Sequence, residues 1–323
     1  MTRPIFLLSL PRAGSTLLQR LMLASGRCAT LGEPSLLLRF LGGDEVIARR
    51  ATYWESLVET AEADIRKEWP EFDASYREGV AALMQRVYHG LAGGKEWFLD
   101  KTPRYTLIAE ELRKTFPDAK FVVLWRHPLA VAASICQTYR DGSWCPDEFG
   151  IDLHEGLGRL MRFAEAHRES ICEVRYEDLV SEPGPVLKRL GDYLGWPELE
   201  AAGEEELPAS AGGTLGDSTG VKSYSKVSQD SRDKWIGQVD NWYRRAWCRD
   251  YWSSIDSAGL GRLGYEMPDE IASPGWWSGG VIKGVGDMLS ARRRIRRRIE
   301  HPTWLPRFSK EFRRKRGYGV LFR

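Results

Sequence analysis

The stretch Pro4-Ile-Phe-Leu-Leu-Ser-Leu10 is apolar without alternation, and Pro11-Arg-Ala-Gly-Ser-Thr16 follows it at once. An unbroken apolar run of this length reads as a strand buried on both faces of a parallel sheet. Beyond the loop, Leu17, Leu18, Leu21 and Met22 fall on one stripe of a helix that Gly26 is placed to end. Strand, glycine loop and helix make the first unit of an α/β fold. Such a loop offers backbone N–H groups and the positive end of a helix dipole to an anion. Gly14, next to Ala13, lets the backbone close around an oxygen; Arg12 brings a planar fork of donors, and Ser15 and Thr16 add hydroxyls. The same residues also suit a tight βα turn with a serine N-cap, so the loop alone leaves two readings open.

Working outward, residues 28–31, 97–99, 121–125 and 171–174 are further strand candidates. Helical spacing separates them over residues 106–116, 129–139 and 156–168, with another helix at 185–194. This alternation predicts α/β architecture around a central, doubly wound parallel sheet, with helices on both faces. Val80, Leu83, Met84, Val87 and Leu91 repeat at helical spacing, so residues 44–92 are expected to form a helical insert or lid. Residues 203–233 read as a Gly/Ser-rich loop region, and the chain contains no internal repeat.

Composition sets the outer limits. The 323 residues carry a net charge of only +2, but residues 271–323 hold 14 Lys+Arg against 3 Asp+Glu, leaving 33 against 42 in residues 1–270. The division is therefore a catalytic body, 1–270, and a basic, aromatic-containing extension, 271–323. Five widely spaced cysteines contain no CxxC pair, which excludes the usual zinc and redox frameworks and fits a reducing compartment. The run at residues 5–10 is too short for a signal-peptide core, and nothing approaches the roughly 20 apolar residues of a membrane span. A cytoplasmic protein is expected.

The nucleotide loop GxxxxGK[ST] is absent, and with it the lysine and magnesium-binding hydroxyl that triphosphate chemistry uses. Asp100-Lys-Thr-Pro-Arg-Tyr105 follows the 97–99 strand candidate, where open α/β sheets place their ligands, so Lys101 can face the same anion as Arg12. Phe121-Val-Val-Leu-Trp-Arg-His-Pro128 sets Arg126 and His127 at another strand end, with Ser134 along the following helix, and Arg126 with Ser134 can clamp one phosphate. Taken singly, Lys101 also reads as a solvated loop lysine and Arg126 as a structural ion-pair partner.

These motifs, in this order, resemble the sulfotransferase family, and within it the tyrosylprotein sulfotransferase-like branch, over residues 4 to about 240. The resemblance implies a P-loop-like three-layer fold and 3′-phosphoadenosine 5′-phosphosulfate as donor, with no metal. It makes residues 11–16 (Arg12, Ala13, Gly14, Ser15 and Thr16 among them) the 5′-phosphosulfate loop and Arg126 with Ser134 the 3′-phosphate site. It places Tyr176, in Arg175-Tyr-Glu-Asp-Leu-Val180, near the nucleotide, and Ser218 and Lys234 on a late loop over it. Arg12 and Lys101 then stabilise charge on the transferring group. Glu33, in Leu31-Gly-Glu-Pro34, stands where tyrosylprotein-type enzymes carry a catalytic glutamate and is the candidate general base, with His127 as competitor. A base must meet the acceptor hydroxyl within hydrogen-bond reach, and partial burial raises a carboxyl's proton affinity. An exposed loop glutamate ahead of Pro34 is the alternative. His89, His154, His167 and His301 lie in no motif.

The animal tyrosylprotein enzymes carry a cysteine two residues before this glutamate and another two before the lysine; here these are Leu31 and Leu99. Without the bridging disulfide, a signal or an anchor, the resemblance implies a bacterial-type cytosolic enzyme. Its acceptor is a hydroxyl on a small metabolite, glycan, lipid or peptide. The tail combines Trp276, Trp277, the run 292–298, Trp304 and Phe308, suiting peripheral contact with an anionic membrane or an acidic partner. Two other readings stand beside the transferase: a P-loop-like kinase or other phosphoryl transferase, and a membrane or nucleic-acid binding protein built on the tail.

Overall fold

The computed structural model describes residues 2–42, 52–203, 207–208, 227–272 and 280–300. Five parallel strands, β1 (Arg3–Ser9), β2 (Cys28–Thr30), β3 (Trp97–Asp100), β4 (Lys120–Trp125) and β5 (Cys172–Arg175), form one sheet in the order β2-β3-β1-β4-β5. All five strand expectations are met. The first strand lies at the centre, with Phe6 in register with Asp100 of β3 and Phe121 of β4.

Its lack of alternation has a direct cause. Ile5 and Leu7 pack into one core with Leu18, Leu21, Leu187 and Leu190, while Phe6 and Leu8 pack into another with Met84, Tyr88, Leu112 and Ala133. Both faces of the strand are thus covered by helices, and every position must be apolar. The helices of this part are α1 (Ser15–Ala24), α2 (Leu36–Leu41), α3 (Thr52–Glu68), α4 (Phe72–Leu91), α5 (Ala109–Thr115), α6 (Pro128–Arg140), α7 (Leu157–Ala166), α8 (Tyr176–Ser181) and α9 (Pro183–Leu194). Four more follow in the C-terminal part: α10 (Trp242–Ser253), α11 (Ser257–Arg262), α12 (Asp269–Ala272) and α13 (Val281–Glu300).

The expected insert over 44–92 is the helix pair α3 and α4, with residues 43–51 outside the described residues. Its apolar stripe needs correction. Val80, Met84 and Tyr88 are the buried positions, whereas Leu83 and Leu91 are exposed. A narrow contact decides this: the Tyr88 ring stacks on Phe98 of β3 at 4.8 Å and leaves the flanking leucines outside. The helix expected over 106–116 opens as a 3-10 turn, Pro103–Ile108, before α5, and a π-helical turn, Ile151–Gly156, precedes α7. Because every strand runs the same way, the chain segments after β1, β2, β3 and β4 emerge along one edge of the sheet, which is where a ligand meets this class of fold.

Candidate active site

The loop after β1 is built for close approach. Arg12 holds a left-handed backbone at φ 68° and Gly14 at φ 93°. A Cβ at Gly14 would run into the Tyr176 ring, meeting its Cε2 at 2.7 Å, so glycine is required there by both conformation and space. Helix α1 starts after Gly14 with no side-chain cap, so the serine-capped turn that the sequence also allowed is not formed. Arg12 Nε donates to Ser134 Oγ at 3.4 Å, and Arg126 Nη1 donates to the Arg12 carbonyl at 2.9 Å. Arg126 lies over the Tyr176 ring at 4.5 Å. Arg12, Ser134, Arg126 and Tyr176, from four separate segments, thus converge on Gly14.

One atom of this cluster is unspent. Arg126 Nη2 donates to the Ser231 carbonyl at 2.7 Å, but its buried Nε has no hydrogen-bond partner. Burial pulls the Arg126 guanidinium below its ordinary value, chiefly through lost solvation, so its charge sits there at a cost that an anion would offset. An orphaned donor on a desolvated cation beside a left-handed loop fits a phosphate or sulfate group.

The end of β3 is arranged differently. Lys101, only 1% exposed, places its ammonium 3.1 Å from Glu33 Oε1, and Glu33 keeps 27% of its side chain exposed. The neighbouring Asp100 is fully buried and accepts from Tyr88 Oη at 2.8 Å, Tyr105 Oη at 3.2 Å and Thr102 Oγ1 at 3.1 Å. Those hydroxyls are themselves acceptors: Thr102 Oγ1 takes the Ser35 N–H at 3.1 Å and Tyr105 Oη takes the Leu37 N–H at 3.2 Å. Asp100 therefore ties the segment after Glu33 to the strand end that carries Lys101. Burial raises the Asp100 carboxyl to about 6, against the lowering effect of its three hydroxyl donors.

In the sequence, only the place of Asp100 before Lys101, with Tyr105 five residues on, hints at this part. Arg20 carries no such mark: it is a buried residue of α1 whose Nε donates to the Pro208 carbonyl at 2.8 Å and whose Nη2 donates to the Leu207 carbonyl at 3.1 Å. Nothing in an amphipathic pattern marks such a contact. Arg104 forks onto buried Asp152 with two contacts of 3.2 Å each, and it feels the charge of Glu33.

His127, the competing base, has both ring nitrogens engaged. Its ring stacks between Trp235 at 4.7 Å and Trp252 at 5.2 Å. Nδ1 accepts the Leu129 N–H at 3.3 Å, and Nε2 meets the Glu266 carbonyl at 3.0 Å. With Nδ1 an acceptor, Nε2 carries the proton, and burial holds the imidazole below its usual value. It caps α6 and anchors Trp235. Lys234 is exposed, next to Trp235, and among the described residues no hydrogen bond or ion pair joins it to the Arg12 and Arg126 cluster. Ser218 lies outside the described residues. Among the other histidines, His89 meets Thr2 Oγ1 at 3.3 Å and His167 pairs with Glu110 at 3.0 Å, both away from this edge. Among the described residues no cluster of His, Cys, Asp and Glu could hold a metal ion, and no helix is long and apolar enough to cross a membrane.

The left-handed loop after β1 and the Lys101–Glu33 pair after β3 thus lie at the same edge of the parallel sheet, an arrangement that suits an anionic ligand. The comparisons give the family. Residues 4–200 match the model of the sulfotransferase family, and the chain belongs to it. It is 26% identical over 340 residues to nodulation protein NoeE of Sinorhizobium fredii, covering 98% of this chain and 75% of that protein. The sulfotransferase domain from the curacin biosynthetic pathway superposes with a TM-score of 0.53 at 22% identity, over 83% of this chain and 99% of that domain. At this identity the likeness is one of fold, the P-loop-like fold with a central parallel sheet. The protein is thus a sulfotransferase, which needs a hydroxyl-bearing acceptor, and not a phosphoryl transferase or a mere binding protein.

Proposed function

We propose that this sulfotransferase draws its sulfuryl group from 3′-phosphoadenosine 5′-phosphosulfate and passes it in line to a hydroxyl of a small metabolite, glycan, lipid or peptide. The observation that carries this is the Lys101–Glu33 pair at 3.1 Å, a buried cation and a reachable carboxylate on one sheet edge with the anion loop. Glu33 takes the acceptor's proton as its oxygen bonds to sulfur. Lys101 and Arg12 balance the charge that collects on the departing 5′-phosphate as the S–O bond breaks. Arg126, through its orphaned Nε, and Ser134 hold the 3′-phosphate. Gly14 and the backbone of residues 13–16 surround the phosphosulfate, and Tyr176 walls the nucleotide side. Ser218 and Lys234 belong to this reading as contacts from the late loop.

Residues 1–270 act as the catalytic unit in this reading and 271–323 as an extension. We place the enzyme in the cytoplasm, where its five buried thiols stay reduced. The test is incubation with labelled donor and candidate hydroxyl acceptors, beside calorimetry with adenosine 3′,5′-bisphosphate. Glu33→Gln is expected to lower kcat by roughly 10²- to 10⁴-fold while changing bisphosphate affinity less than about threefold, since Glu33 lies outside the phosphate cluster. A wild-type protein that does not bind the bisphosphate removes the donor assignment. Undiminished turnover by Glu33→Gln removes the base.

A further inference from the structure

Helix α13 is attached to the body along one stripe. Gly284 lies against the Trp242 indole, where a Cβ would meet Cδ1 at 2.6 Å. Asp287 accepts from Arg244 Nε at 2.7 Å and from Asn241 Nδ2 at 2.9 Å. Ala291 is buried, and Arg294 donates to the Trp144 carbonyl and approaches Glu148 at 3.5 Å. Positions 284, 287, 291 and 294 recur at helical spacing, so they form a single face.

The opposite arc carries Val281, Ile282, Val285 and Leu289, all exposed, with Ile282 exposed to 90%. Arg292 and Arg293, also exposed, continue the same arc. The only acidic residue between 281 and 294 is Asp287, and it is turned inward. An ordinary surface helix buries its aliphatic face and shows its charges. This one turns a carboxylate and small residues inward and presents aliphatics flanked by arginines.

We infer that the outer face of α13 docks the enzyme on an anionic phospholipid surface. Ile282, Val285 and Leu289 enter the boundary of the acyl region, and Arg292 and Arg293 meet headgroup phosphates. The sequence continues with Arg296, Arg297 and Arg298, and the excess of 14 Lys+Arg over 3 Asp+Glu in residues 271–323 adds long-range attraction. A second copy of the chain is a poor occupant. Parallel pairing of two such faces sets arginines against arginines, and antiparallel pairing sets them against Ile282 and Val285. A bilayer supplies an apolar layer and phosphates together.

The experiment is co-sedimentation of the full chain with vesicles. Binding is expected to mixed phosphatidylglycerol and phosphatidylcholine, not to phosphatidylcholine alone, and to weaken as salt is raised. The double variant Ile282→Asp/Leu289→Asp is expected to lower partition at least about tenfold, and Arg292→Glu/Arg293→Glu by a similar factor. Each variant is checked by circular dichroism and thermal midpoint, so that lost binding is separated from lost folding. Absence of wild-type binding to the anionic vesicles overturns the proposal. So does unchanged partition of the aspartate variant, which leaves charge alone as the cause. Conversion of a dimer to a monomer by that variant in light scattering also overturns it, because the face then belongs to a second copy.

Discussion

Arg126 and Lys101 are cations at the ends of β4 and β3, on either side of the central strand, yet they are held in opposite ways. Arg126 spends its Nη atoms on two backbone carbonyls and keeps a buried Nε unpaired. Lys101 is sealed into a pair with Glu33, beside an Asp100 whose carboxylate is satisfied by three hydroxyls. The first arrangement keeps a donor that an anion could take. The second sets its ammonium against a partly exposed carboxylate, at a strand end that Asp100 closes with three hydrogen bonds. The first suits holding a ligand and the second suits positioning.

The largest expected break in this comparison comes from Lys101→Ala. Turnover should fall by roughly 10³-fold, measured by donor-dependent product formation, with bisphosphate affinity changed far less. Next is Arg126→Ala, expected to weaken adenosine 3′,5′-bisphosphate binding by roughly a hundredfold in calorimetry. Equal loss of binding in the two variants would erase the distinction between the receiving and the closed side.

Gly14→Ala tests the shape of the receiving side. Its φ of 93° and the overlap with the Tyr176 ring predict a loss of about 2 kcal/mol in denaturant unfolding, together with weaker bisphosphate binding. If the ring simply swings aside, the stability loss falls to the share of the left-handed backbone, about 1 kcal/mol, while the binding loss remains.

The smallest effect sharpens the closed side. Burial raises Asp100 to about 6 in the folded chain from its ordinary 3.8, so the native state holds its proton over a range where the unfolded chain has released it. Its contribution to stability is therefore complete below about pH 4 and fades as pH rises through about 6. In Asp100→Asn this slope disappears. The difference in thermal midpoint between wild type and variant should shift against the wild type between pH 4 and pH 7, and a constant difference would mean that Asp100 does not titrate there.

Much of the site was legible because its residues sit at strand ends, which an apolar run followed by a polar motif marks clearly. Lys101, Arg126 and Gly14 all follow such runs. Arg20 and the tyrosines around Asp100 were not, since a hydrogen bond between Tyr88 and Asp100 leaves no periodic trace in a helix otherwise patterned by its apolar face. Leu83 and Leu91 misled for the same reason: spacing names a stripe, and only the neighbouring strand decides how wide a stripe is covered.

The sequence by itself determined the five-stranded parallel sheet, the anion loop and the family, because each rests on local runs and on the order of motifs. It also fixed the charge split between body and tail. The tertiary structure alone decided that Arg126 keeps an unpaired Nε, that Asp100 joins the Glu33 segment to Lys101, and that His127 is a stacked structural ring. It alone turned Asp287 inward and Ile282 outward on α13. These are matters of partners brought together from distant positions, and satisfaction, burial and exposure exist only once those partners have met.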